Sequence, residues 1–264
     1  MKVLLIKPPL NPLLITASVY EPLELEYLAA SLCEHTVRIL DMRIDLNLVQ
    51  ALDNFKPDIV GLTAYTCDVN TVKRIFTLVK KYDPSIRTVV GGNHATFLPG
   101  DFQTGDIDAI FIGYADSSFK EFVNRCEAGN DFNDIPNLCI LEGDKYHYTE
   151  KRICAFELNN LPLPARGLTR QYRNKYHDSF RNKVSLLMTS RGCPFRCTFC
   201  ACWKLMDGKY ASRDADSIVD EMKMLDQNGG IVYFSDDNTL SNVKRAWQLS
   251  DLLKKAGGKW PFHL

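Results

Sequence analysis

Short apolar runs rich in β-branched residues alternate with helix-like segments through the first 113 residues, and this alternation restricts the fold more than any other feature of the sequence. Strands separated by helices favour a parallel sheet that is covered by helices on both faces. Between the first two runs, leucine and alanine recur at three- and four-residue spacing, which is typical of an amphipathic helix. The predicted strands are residues 3–6, 37–40, 59–63, 88–91 and 109–113.

Composition and charge exclude several classes of protein. The chain has 264 residues, of which 45% are apolar, enough for one large domain or for two of about 100 to 150 residues. Its 32 basic residues balance 32 acidic ones, so no overall field attracts it to nucleic acid or to an anionic membrane. No stretch approaches the roughly 18 apolar residues of a membrane helix, and the opening apolar run is too short for a signal peptide. Nine cysteines without an export signal favour reduced thiols, and we expect a cytoplasmic protein.

The loops that follow the predicted strands are the places to look for a ligand, because open parallel sheets bind ligands at the carboxyl ends of their strands. Gly91 and Gly92 follow such a strand and allow close approach of the backbone to a ligand, although an ordinary tight turn has the same sequence. For His94, in the same loop, the sequence favours an imidazole that caps a backbone carbonyl over a metal ligand. The chain has neither GxGxxG nor GxxxxGK[ST], so the usual phosphate-binding loops are missing.

Five segments of this region carry a family resemblance: VLLIKPP, EPLELEYLAASL, PDIVGLTAYT, VVGGNHATFLP and DAIFIGYADSSF. Together they resemble the cobalamin-binding domain found at the front of one large group of enzymes, over residues 1 to about 128. The resemblance implies a Rossmann-like, flavodoxin-type fold, in which Thr63, Thr66, Gly91 and Gly92 line the nucleotide tail of cobalamin. The DxHxxG motif that supplies a histidine to cobalt in some relatives is absent, so cobalamin would lack that ligand here.

The pattern breaks between residues 135 and 183. A Gly143-Asp144 turn between two short β-like segments indicates a hairpin, and Pro162 and Pro164 stiffen the extended segment that follows. Residues 166–183 then interleave six basic side chains with three aromatic ones, which suits either contact with RNA or, as we favour, a connector with packed aromatics. We predict a cobalamin-binding-like domain over residues 1–134, a hairpin and linker over 135–183, and a second α/β domain over 184–264.

Four of the nine cysteines fall within ten positions, in the stretch GCPFRCTFCAC. Three or four thiolates packed this closely repel one another unless a cation holds them, so the segment predicts a metal site. Zinc commonly takes two CxxC-like pairs separated by a longer loop, whereas iron–sulfur clusters accept closely spaced thiolates. Both metals stay open at this point, and Cys202 is a possible fourth ligand.

The CxxxCxxC spacing resembles the signature of the radical S-adenosylmethionine (SAM) superfamily, including the aromatic residue before its last cysteine. The resemblance implies a [4Fe-4S] cluster in which Cys193, Cys197 and Cys200 each bind one iron, and a fourth iron chelates SAM. Cys202 is then predicted to be a neighbour of the site that does not bind the metal. Reductive cleavage of SAM then yields a 5′-deoxyadenosyl radical and requires an electron donor such as ferredoxin or flavodoxin. The residues implied to contact SAM are Phe199, Ser235, Asp236 and Asp237. For the two aspartates, capping of the following helix is the alternative role.

From residue 184 onwards, strand, polar loop, helix and glycine pair occur twice in succession, which is typical of a β/α barrel. Ser241 is placed to cap the second of these helices, and a third strand is predicted over residues 260–264. A full barrel requires roughly 200 residues. The sequence therefore predicts an incomplete radical SAM β/α barrel, whose open edge is covered by the remainder of a longer protein or by another chain.

Two functions from different classes follow. The main prediction is a radical SAM enzyme acting on a small-molecule or unknown substrate, by methyl transfer if cobalamin is bound and by radical cyclisation or rearrangement if it is not. No catalytic side chain is identified, and neither a membrane nor nucleic acid is an expected partner. The alternative is a non-catalytic, zinc-stabilised binding module that contacts RNA through residues 166–183.

Overall fold

The structure is a computed structural model that describes residues 1–11, 17–152, 157–226, 230–257 and 262–263. These residues form two compact units. The first takes the described residues of 1–15, 22–152 and 163–172, and the second takes those of 16–21, 153–162 and 173–264. The chain therefore passes between the units more than once, whereas the sequence predicted single boundaries at residues 134 and 183.

A sheet of seven strands forms the frame of the first unit. Its five parallel strands coincide with the five predicted ones, and a sixth and seventh strand continue the sheet in antiparallel pairing. The strands are β1 (Lys2–Lys7), β2 (Thr36–Asp41), β3 (Ile59–Thr63), β4 (Arg87–Gly91), β5 (Ala109–Phe111), β6 (Leu138–Glu142) and β7 (Lys145–Tyr148). Their order is β2-β1-β3-β4-β5-β6-β7, which is the flavodoxin-type order extended by one hairpin.

Helices cover both faces of this sheet. They are α1 (Leu23–Ser31), α2 (Leu48–Phe55), α3 (Val69–Tyr82), α4 (Asn93–Phe97) and α5 (Asp116–Ala128). Alternate residues of β1 enter two separate apolar clusters, Leu4 and Ile6 with α2 and α3, and Val3 and Leu5 with α1 and α5. This alternation is what a strand buried on both faces requires.

The predicted hairpin is present, but it belongs to the sheet of the first unit rather than to a linker, because β6 pairs with β5. In the segment that follows, a 3₁₀ turn spans Arg166–Lys175, and Tyr172 and Tyr176 are buried. Arg173 forms an ion pair with the buried Glu21 in the same unit. These contacts favour the predicted connector, since the aromatic and basic side chains they use are not available to stack on bases or neutralise phosphates.

The second unit repeats strand and helix. Its elements are β8 (Val184–Leu187), β9 (Ser190–Arg191), α6 (Cys202–Leu205), β10 (Ala211–Ser212), α7 (Ala215–Asp226), β11 (Ile231–Phe234), α8 (Val243–Lys255) and β12 (Phe262–His263). β8, β11 and β12 form a parallel sheet in chain order, as the barrel prediction requires, and an apolar cluster from β8, β11, α7 and α8 fills the space beneath it. Among the described residues, no helix is long and apolar enough to cross a bilayer.

Candidate functional site

The cysteine segment is a loop, residues 192–201, that leaves β9 and enters α6. The strands before the loop and after α6 are joined, because β9 pairs with β10. Gly192 opens the loop with a φ of +78°, and a β-carbon there would overlap the carbonyl oxygen of Lys209 and lie 2.8 Å from the sulfur of Met206. Only glycine fits, so the CxxxCxxC segment starts from a fixed backbone turn.

The three predicted ligands lie in this loop as free thiols, with Cys197 exposed and Cys193 and Cys200 half-buried. The amide of Cys200 and the indole N–H of Trp203 both donate to the carbonyl of Cys197, each at 3.2 Å, and close the last half of the motif into a turn. Within the described residues, no three His, Cys, Asp or Glu side chains surround a single metal ion. A [4Fe-4S] cluster does not require that arrangement, because each thiolate binds a different iron, and this donor set suits such a cluster.

Cys202 differs from these three cysteines. Burial first, and then the neighbouring carboxylate of Asp237, raise the pKa of its thiol to about 12. The thiol is hydrogen-bonded to both Asp237 and Cys200. The sequence prediction that Cys202 does not bind the metal stays a prediction.

The two aspartates after β11 hold the backbone that leads into the cysteine loop. The Asp236 carboxylate accepts from the amides of Thr189, at 2.6 Å, and Ser190, at 3.0 Å, and also from the Thr189 hydroxyl. Asp237 accepts from the amide of Gly192 at 3.1 Å. The loops that follow β8 and β11 are therefore joined directly where the cysteine segment begins.

Neither aspartate caps the following helix. The cap of α8 is Asn242, whose side-chain oxygen accepts from the amide of Arg245 at 3.0 Å. The predicted capping role of Ser241 is therefore wrong by one residue, and the alternative role considered for Asp236 and Asp237 is also wrong. The reason is that the loop after β11 extends to residue 242 before the backbone becomes helical.

The other two predicted SAM contacts lie on the surface of this region. Phe199 is 92% exposed within the cysteine loop, so it contributes nothing to the apolar core. Ser235 is exposed as well, and its amide donates to the carbonyl of Leu187 at 2.9 Å, which continues the pairing of β11 with β8. Both side chains are accessible to a ligand.

The sequence analysis missed two buried arginines that support the end of β8. Arg213 donates to the carbonyl of Met188 at 3.0 Å and forms an ion pair with Glu221 at 2.5 Å. Arg245 donates to the carbonyl of Thr189 at 3.0 Å. A signal for Arg245 was present in the sequence, since it lies four residues before Leu249 on the apolar stripe of α8, where a charged residue is unusual.

In the first unit, the carboxyl ends of β3 and β4 place the four predicted cobalamin contacts at one edge. Thr63 is in register with Gly91, and the amide of Ala64 donates to the carbonyl of Gly91 at 2.9 Å. Gly92 has φ +98° and ψ −177°, a backbone conformation available essentially to glycine alone. The edge thus presents backbone and the hydroxyl of Thr66, which suits the polar tail of a nucleotide.

His94 lies in the same edge, with its ring held by side chains rather than by the carbonyl that the sequence suggested. One ring nitrogen is 3.0 Å from the hydroxyl of Thr66 and the other is 2.8 Å from the carboxylate of Asp101. It is the backbone amide of His94 that donates to a carbonyl, that of Ala64, at 3.1 Å. The imidazole is buried, so it stabilises the loop after β4.

At the end of β1, where the first loop lacks DxHxxG, an ion pair between a buried lysine and an exposed glutamate is present instead. Lys7 contacts Glu24 at 2.5 Å and lies over the ring of Tyr65. Burial lowers the pKa of Lys7, but the Glu24 carboxylate outweighs it and raises the pKa above its ordinary value. Residues 12–16, which complete this loop, lie outside the described residues.

Two family models match the chain. The B12 binding domain model matches residues 14–123, and the Radical SAM superfamily model matches residues 187–262. The chain therefore carries a B12-binding domain followed by a Radical SAM domain. These two matches confirm the resemblance and the cofactors predicted from it, a [4Fe-4S] cluster, SAM and cobalamin, and they do not support the zinc-stabilised alternative.

Two relatives of this chain are named as a methyltransferase and a methylase. It is 30% identical, over 97% of its length, to the uncharacterized methyltransferase PH0819 of Pyrococcus horikoshii, and 25% identical, over its full length, to hopanoid C-3 methylase of Methylococcus capsulatus. It covers 58% and 51% of these two proteins, so it spans about half their length. Its fold matches that of the cobalamin-dependent SAM radical enzyme OxsB, determined with aqua-cobalamin and SAM bound, with a TM-score of 0.81 and 16% identity, over 99% of this chain and 38% of that one.

Proposed function

We propose that this chain is the cofactor-binding part of a cobalamin-dependent radical SAM methyltransferase that acts on a carbon atom of a small molecule. One observation carries the proposal. The CxxxCxxC loop and the polar loop after β11 are hydrogen-bonded to each other at the carboxyl ends of adjacent parallel strands. Because barrel enzymes build their active sites from the loops after their strands, this is where the chemistry of such a protein takes place.

In this proposal Cys193, Cys197 and Cys200 hold the cluster. When bound, the cluster supplies the electron that cleaves SAM and cobalamin carries the methyl group, with a ferredoxin or flavodoxin as electron donor. The support is the chemistry of the donor set: three free thiols, none fully buried, in a loop whose origin is fixed at Gly192. Three thiolates leave one iron of a four-iron cluster without a protein ligand, as SAM binding requires.

The proposed SAM contacts divide into two groups. Asp236 already accepts three hydrogen bonds from Thr189 and Ser190, so we assign it mainly to holding the backbone at the start of the cysteine loop. Asp237 has the more exposed side chain and is the stronger candidate to accept from the ammonium group of SAM. Phe199 and Ser235 complete the set through an exposed ring and an exposed hydroxyl.

Cobalamin is assigned to the edge formed by β3 and β4. Thr66 offers an exposed hydroxyl, which also contacts His94, and Gly91 offers backbone that no β-carbon covers. Thr63 is buried, and Gly92 brings the backbone close to it, so we assign these two residues to the shape of the edge. The described part of the first loop holds the Lys7–Glu24 pair and no histidine, so we assign no cobalt ligand to it.

Anaerobic expression followed by metal and sulfide analysis tests the proposal. We expect about four irons and four sulfides per chain, with an electron paramagnetic resonance signal after reduction. Cys197→Ala should abolish assembly of the cluster, whereas Cys202→Ala, the matched control, should retain the iron of the wild-type protein. A colourless protein that contains zinc, or equal loss of iron in both variants, would overturn the assignment. Titration with hydroxocobalamin tests the other site, and an unchanged spectrum at excess ligand would contradict it.

A further inference from the structure

One side chain of the loop after β11 contacts a predicted cluster ligand directly. The amide nitrogen Nδ2 of Asn238 is 3.5 Å from the Sγ atom of Cys193, within hydrogen-bonding distance for a sulfur acceptor. Neither the sequence analysis nor the family assignment gives this asparagine a role. Since Asn238 is half-buried, water competes only partly for its amide.

The backbone that carries this amide is held in place. The hydroxyl of Ser190, which is buried, donates to the carbonyl of Asn238 at 3.1 Å. Arg245, which is 4% exposed, donates to the carbonyl of the next residue, Thr239. Asp236 anchors the start of the same loop to Thr189 and Ser190. The contact between Asn238 and Cys193 is therefore built on a loop that is fixed on both sides of the asparagine.

We propose that Asn238 donates an N–H···S hydrogen bond to the Cys193 thiolate when the cluster is bound, and thereby raises the reduction potential of the cluster. The inference rests on the proposed function, since it requires Cys193 to be a ligand. Reduction adds negative charge that is shared by the ligating sulfurs, and a hydrogen bond to a more negative acceptor is stronger. A donor at this position consequently stabilises the reduced cluster more than the oxidised one, which is how hydrogen bonds to sulfur adjust cluster potentials.

Three substitutions separate the donor from the shape of the side chain. Asn238→Ala removes the amide, Asn238→Asp keeps the shape but replaces the donor with a negative charge, and Asn238→Gln keeps a donor on a longer stem. Leu240→Ala, which truncates an exposed side chain of the same loop, is the matched control. The cluster is reconstituted in each protein, and its reduction potential is measured in the absence of SAM by titration followed by electron paramagnetic resonance.

For Asn238→Ala we expect the equilibrium between reduced and oxidised cluster to shift about tenfold toward the oxidised form, which is 59 mV for one electron. Asn238→Asp should shift it at least as far, Asn238→Gln should fall between Asn238→Ala and the wild-type protein, and Leu240→Ala should match the wild type. Resonance Raman spectra provide a second readout, because loss of the hydrogen bond should move the iron–thiolate stretching bands in the first two variants only.

The outcomes distinguish this inference from the proposed function. If no cluster assembles in the wild-type protein, both are overturned. If clusters assemble and the Asn238 variants have the wild-type potential and Raman bands, only the role of Asn238 is overturned, and a loss of SAM binding alone would assign the residue to SAM instead. Failure of all three Asn238 variants to assemble a cluster that Leu240→Ala assembles would also contradict the inference, because tuning does not require the residue for assembly.

Discussion

Replacing Gly92 by alanine tests whether the edge of the B12-binding domain depends on a backbone that only glycine permits. The residue has φ +98° and ψ −177°, where a β-carbon costs about 2 kcal/mol of backbone strain. That β-carbon would also lie 2.7 Å from the hydroxyl oxygen of Thr63 and 2.8 Å from the amide nitrogen of Ala64. Because the second neighbour is backbone and cannot rotate away, overpacking adds about 2 kcal/mol. We therefore expect Gly92→Ala to destabilise the first unit by about 4 kcal/mol.

Gly91 provides the matched control, one residue earlier. It does not have a positive φ, and a β-carbon there would meet only the β-carbon of Phe111, at an ordinary 3.6 Å. Gly91→Ala should change stability by less than about 1 kcal/mol, since it mainly restricts the unfolded chain. Comparing the two variants thus separates the effect of the positive φ at Gly92 from the general effect of adding a methyl group at the end of β4.

Hydrogen exchange followed by mass spectrometry is the assay, because it reports on β3 and β4 separately from the second unit. A loss of about 4 kcal/mol corresponds to an opening equilibrium about 700-fold more favourable in peptides from those strands. All three tryptophans lie beyond residue 200, so fluorescence-detected unfolding follows the second unit and should be unaffected. Equal exchange rates in β3 and β4 of Gly92→Ala and Gly91→Ala would refute the reasoning.

Two further predictions concern ion pairs. The pair formed by Lys7 and Glu24 should stabilise the first unit across a pH window. Burial opposes ionisation of Glu24, but Lys7 lowers the pKa of this carboxyl below 4.5. Its contribution to the free energy of unfolding is therefore present above pH 4.5 and is lost as the pH falls through the lowered pKa. The pKa of Lys7 is raised above 10.5, so the contribution of Lys7 is present below pH 10.5 and is lost as the pH rises through the raised pKa. In urea unfolding measured from pH 3 to 11, Lys7→Met should reduce the loss of stability at both the acidic and the alkaline end. An unchanged pH dependence of the free energy of unfolding would contradict this. Glu221→Gln should destabilise the second unit by about 4 kcal/mol, because it leaves the guanidinium of Arg213 buried without its carboxylate. In urea unfolding, the double variant Arg213→Met/Glu221→Gln should lose clearly less stability than Glu221→Gln alone. An equal loss would show that the charge of Arg213 does not cause the effect.

The parallel sheets could be predicted because their strands carry an unmistakable apolar pattern. Residues 59–63, for example, are all buried, and both the apolar run and the helices on either side of it are visible in the sequence. The placement of the hairpin β6–β7 could not be predicted in the same way. A local turn signal such as Gly143-Asp144 identifies a hairpin, but nothing local states which sheet edge it joins, since the pairing of β6 with β5 is a long-range contact.

Boundaries of helices were less predictable than their existence. Asp68 precedes α3 and looks like a cap, yet its carboxylate accepts from the amide of Tyr65, on the preceding side, at 3.1 Å. A short 3₁₀ turn over Thr66–Asp68 uses the residue before the α-helix begins. An aspartate side chain can accept from backbone amides in a turn or at the start of a helix. The residue type therefore predicts a nearby hydrogen bond to the backbone, but not which amide donates it.

The loop after β11 shows the same limit of prediction at the candidate site. Sequence and family resemblance pointed to Asp236 and Asp237 as a pair with one purpose, because adjacent carboxylates in a polar loop are chemically equivalent on paper. In the fold their partners differ. Asp236 accepts from the backbone amides of Thr189 and Ser190, whereas Asp237 accepts from the amide of Gly192, the first residue of the cysteine loop. Within this loop, the side chain that contacts a predicted ligand is that of the uncharged Asn238. Which member of a polar run meets the cofactor depends on backbone dihedrals set by anchors such as the buried Arg245, 56 residues from the carbonyl of Thr189 that it holds. Chemistry of this kind can be located to a loop from sequence, but it can be assigned to an atom only once those long-range anchors are known.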